Sequence, residues 1–317
     1  MKNKDKASSK VEEARINSEF AKIQKILEPE RLKQAKPTTK QRFVAGTRNT
    51  INILRAIYDK MFCGQLPEKN NKYTIEYLKE NPKTDKDIVW IIPGLAMGMR
   101  TQWRLGRELI KQGLLPIHTE FIYQDPREEK MEAWIKKAKE LQKETGLKNM
   151  HKRTDCIIGH SAGAIMTIYI SCDKRSSKYG INPVDKNDSL TVQAIAPPIY
   201  GISHETFPQR IIQTILGPAE NADSLKGRER AIEMYKKKAR IPYTVYSGLD
   251  DRIVRPCDSY DPHAAKRILI EHPDSTHFGT SGGNPNMNRI FALACLERYK
   301  SKMNKTKRSK AEETKNA

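Results

Sequence analysis

Ile88-Val89-Trp90-Ile91-Ile92 is a run of five apolar residues that stops abruptly at Pro93-Gly94. A strand with one face in water alternates apolar and polar side chains, and this one does not. An unbroken run of this length is what a strand buried on both faces requires, as in a parallel sheet covered by helices. The pattern recurs. Leu114 to Tyr123, Cys156 to Ile158, Leu190 to Ile195, Tyr243 to Tyr246 and Arg267 to Glu271 read as further strands. Helical spacing occupies Trp103 to Gln112, Met131 to Thr145, Ala162 to Ser171 and Met287 to Tyr299. Strands alternating with helices imply an α/β fold with a mostly parallel sheet and helices on both faces.

The 317 residues divide unevenly around this core, which spans about 86–300. Residues 1–40 form a charged N-terminal arm, in which Val11 to Ala35 reads as an exposed charged helix with a thin apolar stripe of Phe20, Ile23, Ile26 and Leu27. Residues 41–85 read as a helical extension. Phe43, Thr47, Ile51, Leu54, Tyr58 and Met61 recur at helical spacing, and a loop follows from Gln65 to Asn71. Residues 301–317 form a basic tail with almost no apolar residue after Met303, too polar to offset its ordering entropy, so disorder is expected.

Charge is concentrated at those ends. Of a net +20, residues 1–42 contribute 12 basic against 6 acidic side chains, and residues 300–317 contribute 7 against 2. Such ends suit solubility or peripheral contact with an anionic membrane. Nucleic acid is not expected as a partner, because no nucleic-acid-binding motif of defined spacing is present. The longest mostly apolar run, Ile88 to Met99, is well short of the roughly 20 residues a membrane-spanning helix needs. The start of the chain lacks the apolar segment of a secretory signal. Five cysteines (Cys63, Cys156, Cys172, Cys257, Cys295) form no CxxC pair and leave an odd count, which fits a reducing, cytoplasmic setting. No metal-ligand spacing is visible, and no metal or cofactor is expected.

The chemistry concentrates at Gly159-His160-Ser161-Ala162-Gly163, between a short strand and an apolar helix. A serine nucleophile needs this context: a tight turn lifts its hydroxyl above the sheet, and glycines leave room for neighbouring backbone. The helix start also offers backbone N–H groups to a developing oxyanion. Ser161 therefore reads as a nucleophile, with the Ala162 N–H as one oxyanion donor. A second donor is expected from Pro93-Gly94-Leu95-Ala96-Met97-Gly98, with the Leu95 N–H as first candidate. That run lacks the G-x-G-x-x-G of a dinucleotide site.

A serine hydroxyl needs a base oriented by a carboxylate. The loop after the Tyr243 strand holds Asp250 and Asp251. Asp251 is favoured because Ile253 and Val254 would pack the loop inward, whereas Asp250 could be a solvated turn residue. Among seven histidines, His277 follows the last strand on a loop that could reach the elbow, and His272 at the end of that strand is the alternative.

These residues resemble the α/β-hydrolase superfamily, and its lipase and esterase members in particular, over about residues 86–300. The resemblance rests on strand-Pro93-Gly94-Leu95, Gly159 to Gly163, Ala196-Pro197-Pro198-Ile199-Tyr200-Gly201, Gly248 to Val254 and His277-Phe278. It implies Ser161 as nucleophile, Asp251 as acid, His277 as base and the backbone N–H groups of Leu95 and Ala162 as the oxyanion hole. Relatives often carry His where this chain has Pro93.

The implied substrate is a carboxylic ester of lipid or short acyl type. Leu95, Met97 and Met99 suggest an apolar pocket, and residues 199–241 a small helical lid with a stripe of Phe207, Ile211, Ile212, Ile215 and Leu216. Acyl transfer or thioester cleavage by the same triad, and a catalytically silent binding module, are the alternatives.

Overall fold

The computed structural model describes residues 10–23, 25, 67–94, 99–119, 130–148, 152–181, 183–184, 188–200 and 225–316. In chain order the elements are α1 (residues 10–23), α2 (Pro67–Glu80), β1 (Ile88–Ile92), α3 (Met99–Lys111), β2 (Leu115–His118) and α4 (Lys130–Thr145). Then come β3 (Cys156–His160), α5 (Ala162–Cys172), β4 (Val192–Ile195), α6 (Leu225–Lys236), β5 (Tyr243–Gly248), β6 (Lys266–Ile270) and α7 (Pro285–Asn316).

The six strands form one parallel sheet in the order β2-β1-β3-β4-β5-β6. This is the α/β architecture expected from the sequence, and it is consistent with an α/β-hydrolase fold. The apolar run of β1 is divided between two cores. Ile88, Trp90 and Ile92 pack with Leu78 of α2, Trp134, Ala138 and Leu141 of α4, and Ile165 and Ile168 of α5. Val89 and Ile91 pack with Leu105 and Leu109 of α3 and with Met287, Phe291 and Ala292 of α7. Side chains alternate across a strand, so burial on both faces is what makes the run continuously apolar.

β1 connects outward to β2, whereas β3 connects the opposite way to β4. The order of the sheet therefore switches between β1 and β3, and such a switch opens a crevice at the carboxyl ends of the strands.

Edge strand β2 contains Pro116, which no central strand tolerates. Its outer groups are satisfied by α2: Asn71 Nδ2 donates to His118 O at 2.9 Å, His118 N donates to Asn71 Oδ1 at 2.7 Å, and Thr74 Oγ1 donates to Pro116 O at 2.6 Å. The segment from Pro67 to Asn71, expected as a loop, is instead the first turn of this helix. Proline suits a first helical turn because it has no N–H to leave unpaired.

Two expectations about the chain ends also change. The tail is not disordered: α7 continues to Asn316, because its middle is anchored. Arg298, 4% exposed in its side chain, pairs with Asp87 and donates to Thr191 Oγ1 at 3.1 Å, and Lys302 pairs with Asp87 and, at 3.2 Å, with Asp155. Burial and the neighbouring Asp155 push the Asp87 carboxyl up, and Arg298 and Lys302 oppose them. The arm is not merely exposed either. Ile16, Phe20 and Ile23 are buried in the core that includes Ile232 of α6, while Glu19 pairs with Lys236 and Arg228 donates to Asn17. The expected helix over 39–61, the lid stripe Phe207 to Leu216 and the strand beyond Thr119 lie outside the described residues. Among the described residues, no helix is long and apolar enough to cross a membrane.

Candidate functional site

Ser161 follows β3 directly and has φ 54° and ψ −121°. A non-glycine residue held there costs on the order of 1–3 kcal/mol, which the surroundings must offset. They do so by hydrogen bonds on both sides: Ser161 N donates to Ile195 O at 2.9 Å, and Ser161 O accepts from Ala164 N at 2.9 Å. The strain comes from the change of direction at the rim of the sheet, where the chain turns at once into α5. Gly163 makes that turn possible. A Cβ there would stand 2.3 Å from Ile92 O and 2.6 Å from Pro93 O, so α5 presses directly on the end of β1.

The same contact brings the β1 loop to the serine. A Cβ on Gly94 would lie 2.7 Å from Ser161 Cβ and 2.8 Å from His160 O. Leu95, the candidate second oxyanion donor, lies outside the described residues. Ala162, the candidate first donor, is the first residue of α5 and half-buried. N–H groups in a first helical turn have no intrahelical acceptor, and the helix dipole makes this end partially positive.

The structure pairs Asp251 with His277. His277 Nδ1 donates to Asp251 Oδ2 at 2.8 Å, with side-chain exposures of 5% and 0%. Asp251 Oδ1 accepts from the N–H groups of Ile253 and Val254, both at 2.9 Å. The Arg-Ile-Val segment thus returns its backbone to the carboxylate, while Ile253 and Val254 are buried in the core on the α3 and α7 side. With three hydrogen bonds on one carboxylate, the imidazole is held with Nδ1 towards Asp251 and Nε2 turned away from it.

Asp250 and His272 are not part of this pair. Asp250 is not the solvated turn residue that its sequence suggested. It is 4% exposed, its Oδ1 has no hydrogen-bond partner among the described residues, and burial pushes its carboxyl up, with Arg252 and His272 opposing. The His272 side chain is 40% exposed, and its Nδ1 accepts from Asp274 N at 3.1 Å.

At the elbow, the residue in contact with His277 is His160, the chain neighbour of Ser161. The His160 and His277 rings are 4.7 Å apart at 51°, and His160 Nε2 lies 3.3 Å from Thr280 Oγ1, three residues beyond His277. No hydrogen bond joins Ser161 Oγ to His277 among the described residues, and such contacts commonly tighten only when substrate is bound. Sequence reasoning missed the part of Thr280 entirely, because a threonine in a glycine-rich turn carries no local signal. It also missed Ala196, at φ 48°. Ala196 follows β4 as Ser161 follows β3, so two adjacent strands end in strained residues at the same rim.

No protein-family model matches the chain, and no curated protein matches its sequence. Among solved structures, it is similar to the esterase domain of a Rhodothermus marinus protein. That likeness covers 68% of this chain and 90% of that one, at 10% identity and a TM-score of 0.41. A likeness so distant adds nothing to the chemistry, which stands on the residues themselves.

Proposed function

We propose that the protein is a serine hydrolase that cleaves carboxylic esters through an acyl-enzyme. The buried 2.8 Å hydrogen bond between His277 Nδ1 and Asp251 Oδ2 carries this reading, because it orients a base at the rim where Ser161 is held in a strained turn. A buried imidazole oriented by a fully bonded carboxylate is the arrangement general-base catalysis needs.

In this reading Ser161 Oγ attacks the ester carbonyl carbon while His277 Nε2 takes the hydroxyl proton. The carbonyl oxygen becomes an oxyanion, stabilised by the N–H groups of Ala162 and Leu95. Collapse of the tetrahedral intermediate breaks the bond to the alcohol oxygen, and His277 returns the proton to the leaving alcohol. Water then repeats the sequence on the acyl-serine, with His277 as base, releasing the acid. Asp251 holds the ring in place throughout and stabilises the transient imidazolium. Gly94, which has no side chain, comes close to Ser161 at the end of β1.

A fluorophosphonate probe tests this directly. It should form one adduct on Ser161, located by peptide mapping and absent in Ser161→Ala. A folded wild-type chain without an adduct overturns the reading.

A further inference from the structure

His160 stands between Gly159 and Ser161, and the hydrolytic scheme leaves its ring without a part. The residue ends β3, is 3% exposed, and places Nε2 3.3 Å from Thr280 Oγ1. The distances around the Thr280 hydroxyl favour one tautomer. Thr280 has one hydroxyl proton, and two carbonyl oxygens compete for it at shorter range, His277 O at 3.0 Å and Thr276 O at 3.2 Å. A carbonyl only accepts. Given to the nearer His277 carbonyl, that proton leaves Thr280 Oγ1 to accept from His160 in its Nε2–H form.

We propose that His160 is a positioning residue, whose Nε2–H, through the Thr280 hydroxyl and the His277 carbonyl, sets where the base stands relative to Ser161. This rests on the serine-hydrolase reading. Two different ties hold His277: Asp251 fixes its ring, and the His160–Thr280 relay fixes its main chain. The relay starts from the residue covalently bonded to the nucleophile, so elbow and base loop are registered against each other by side chains beneath the reacting atoms.

The other ring nitrogen keeps His160 out of the proton chemistry. Nδ1 is buried with no partner among the described residues and lies 3.2 Å from where a Cβ on Gly94 would stand. Burial and the neighbouring His277 hold the ring well below the ordinary histidine range, so it stays neutral when His277 takes the serine proton. A second cation 4.7 Å away would oppose that transfer.

The test compares His160→Phe and Thr280→Val with His160→Gln and Thr280→Ser in the full chain. The first two keep shape and lose the relay, whereas the second two keep a donor and a hydroxyl. With a p-nitrophenyl ester, His160→Phe and Thr280→Val should each lower kcat about 10- to 100-fold with KM within about threefold, as a base displaced by a fraction of an ångström would. His160→Gln and Thr280→Ser should recover most of the rate, and the double loss should be no worse than either single one. Imidazole 15N spectra should show His160 as the Nε2–H form at neutral pH, whatever the activity.

If Ser161 of the wild type takes no fluorophosphonate label, the hydrolase reading falls and the positioning role falls with it. If Ser161 is labelled, and His160→Phe and Thr280→Val are labelled at the wild-type rate, only the positioning role is overturned. An Nδ1–H spectrum for His160 also overturns it. Should His160→Phe fail to fold, Thr280→Val alone decides.

Discussion

Asp251 and His277 are 26 residues apart, with strand β6 between them, yet their side chains share a 2.8 Å hydrogen bond that is almost fully shielded from water. β5 and β6 pair in parallel, with Gly248 opposite Ile270, so both chains leave the sheet at the same rim. The loops after them then meet above it.

Asp251→Asn should lower kcat by about 10³- to 10⁴-fold, because the amide no longer enforces the required imidazole tautomer. Asp250→Asn should leave turnover within a few-fold. Its stability effect has the opposite sign to that of a paired carboxylate. Burial raises the folded-state pKa of Asp250, so its ionisation costs stability as pH rises above the unfolded carboxylate value. The asparagine variant should therefore have the higher urea midpoint at pH 7. Paired kinetics and denaturation on both variants check this.

Gly94→Ala places a methyl group 2.7 Å from Ser161 Cβ, a distance real carbons do not tolerate. Gly94 must move away from Ser161, and in the proposed mechanism a displaced oxyanion donor costs on the order of 3 kcal/mol in the transition state. We expect kcat to fall by about two orders of magnitude with far-ultraviolet circular dichroism unchanged. Gly163→Ala is different in kind, since its methyl meets Ile92 O at 2.3 Å between β1 and α5. That variant should lose about 2 kcal/mol of stability or more, read as a lower urea midpoint.

His118 is wholly buried, and burial lowers its pKa to about 3. The folded chain keeps this ring neutral, whereas the unfolded chain binds a proton below about 6.5. Stability is therefore lost as pH falls from about 6.5 towards 3, by about 2 kcal/mol at pH 5 from this residue alone. His160 is displaced in the same direction, so the wild-type loss should be larger still. His118→Leu should flatten the pH dependence of the urea midpoint between pH 7 and 5. An unchanged slope would contradict the buried neutral ring.

The basic end of α7 leaves the molecule beside Asp87 and Asp155, at the amino ends of β1 and β3 and therefore opposite the Ser161 rim. An anionic membrane held by this end would not cover the site. Lys307→Gln with Arg308→Gln, both exposed, should weaken binding to phosphatidylserine vesicles and leave turnover of a soluble ester unchanged. Arg298→Met should instead destabilise the fold by about 3 kcal/mol, because it removes a partner of buried Asp87. Vesicle flotation and thermal melts separate the two effects.

Much of the architecture is legible in the local sequence. β1, β3 and β5 are short apolar segments bounded by glycine or proline, and local burial is enough to reveal such strands. The turn at Ser161 was equally legible, because a strand running straight into an apolar helix through two glycines has few other conformations. Legibility failed where a side chain's partner is distant in sequence. Pro67 to Asn71 looked like a loop because nothing local reveals that Asn71 and Thr74 will pair with β2. The tail looked disordered because Arg298 and Lys302 meet Asp87 only across more than 200 residues.

The sequence by itself determined the α/β class, the strand-to-helix junction at Ser161 and the short list of carboxylates and imidazoles able to serve it. Periodicity and turn chemistry act over a few residues, and that suffices for these features. Only the tertiary structure decided that Asp251 rather than Asp250 meets His277, and that His160 reaches Thr280. Those contacts depend on parallel strands ending at one rim, where residues far apart in the chain become neighbours.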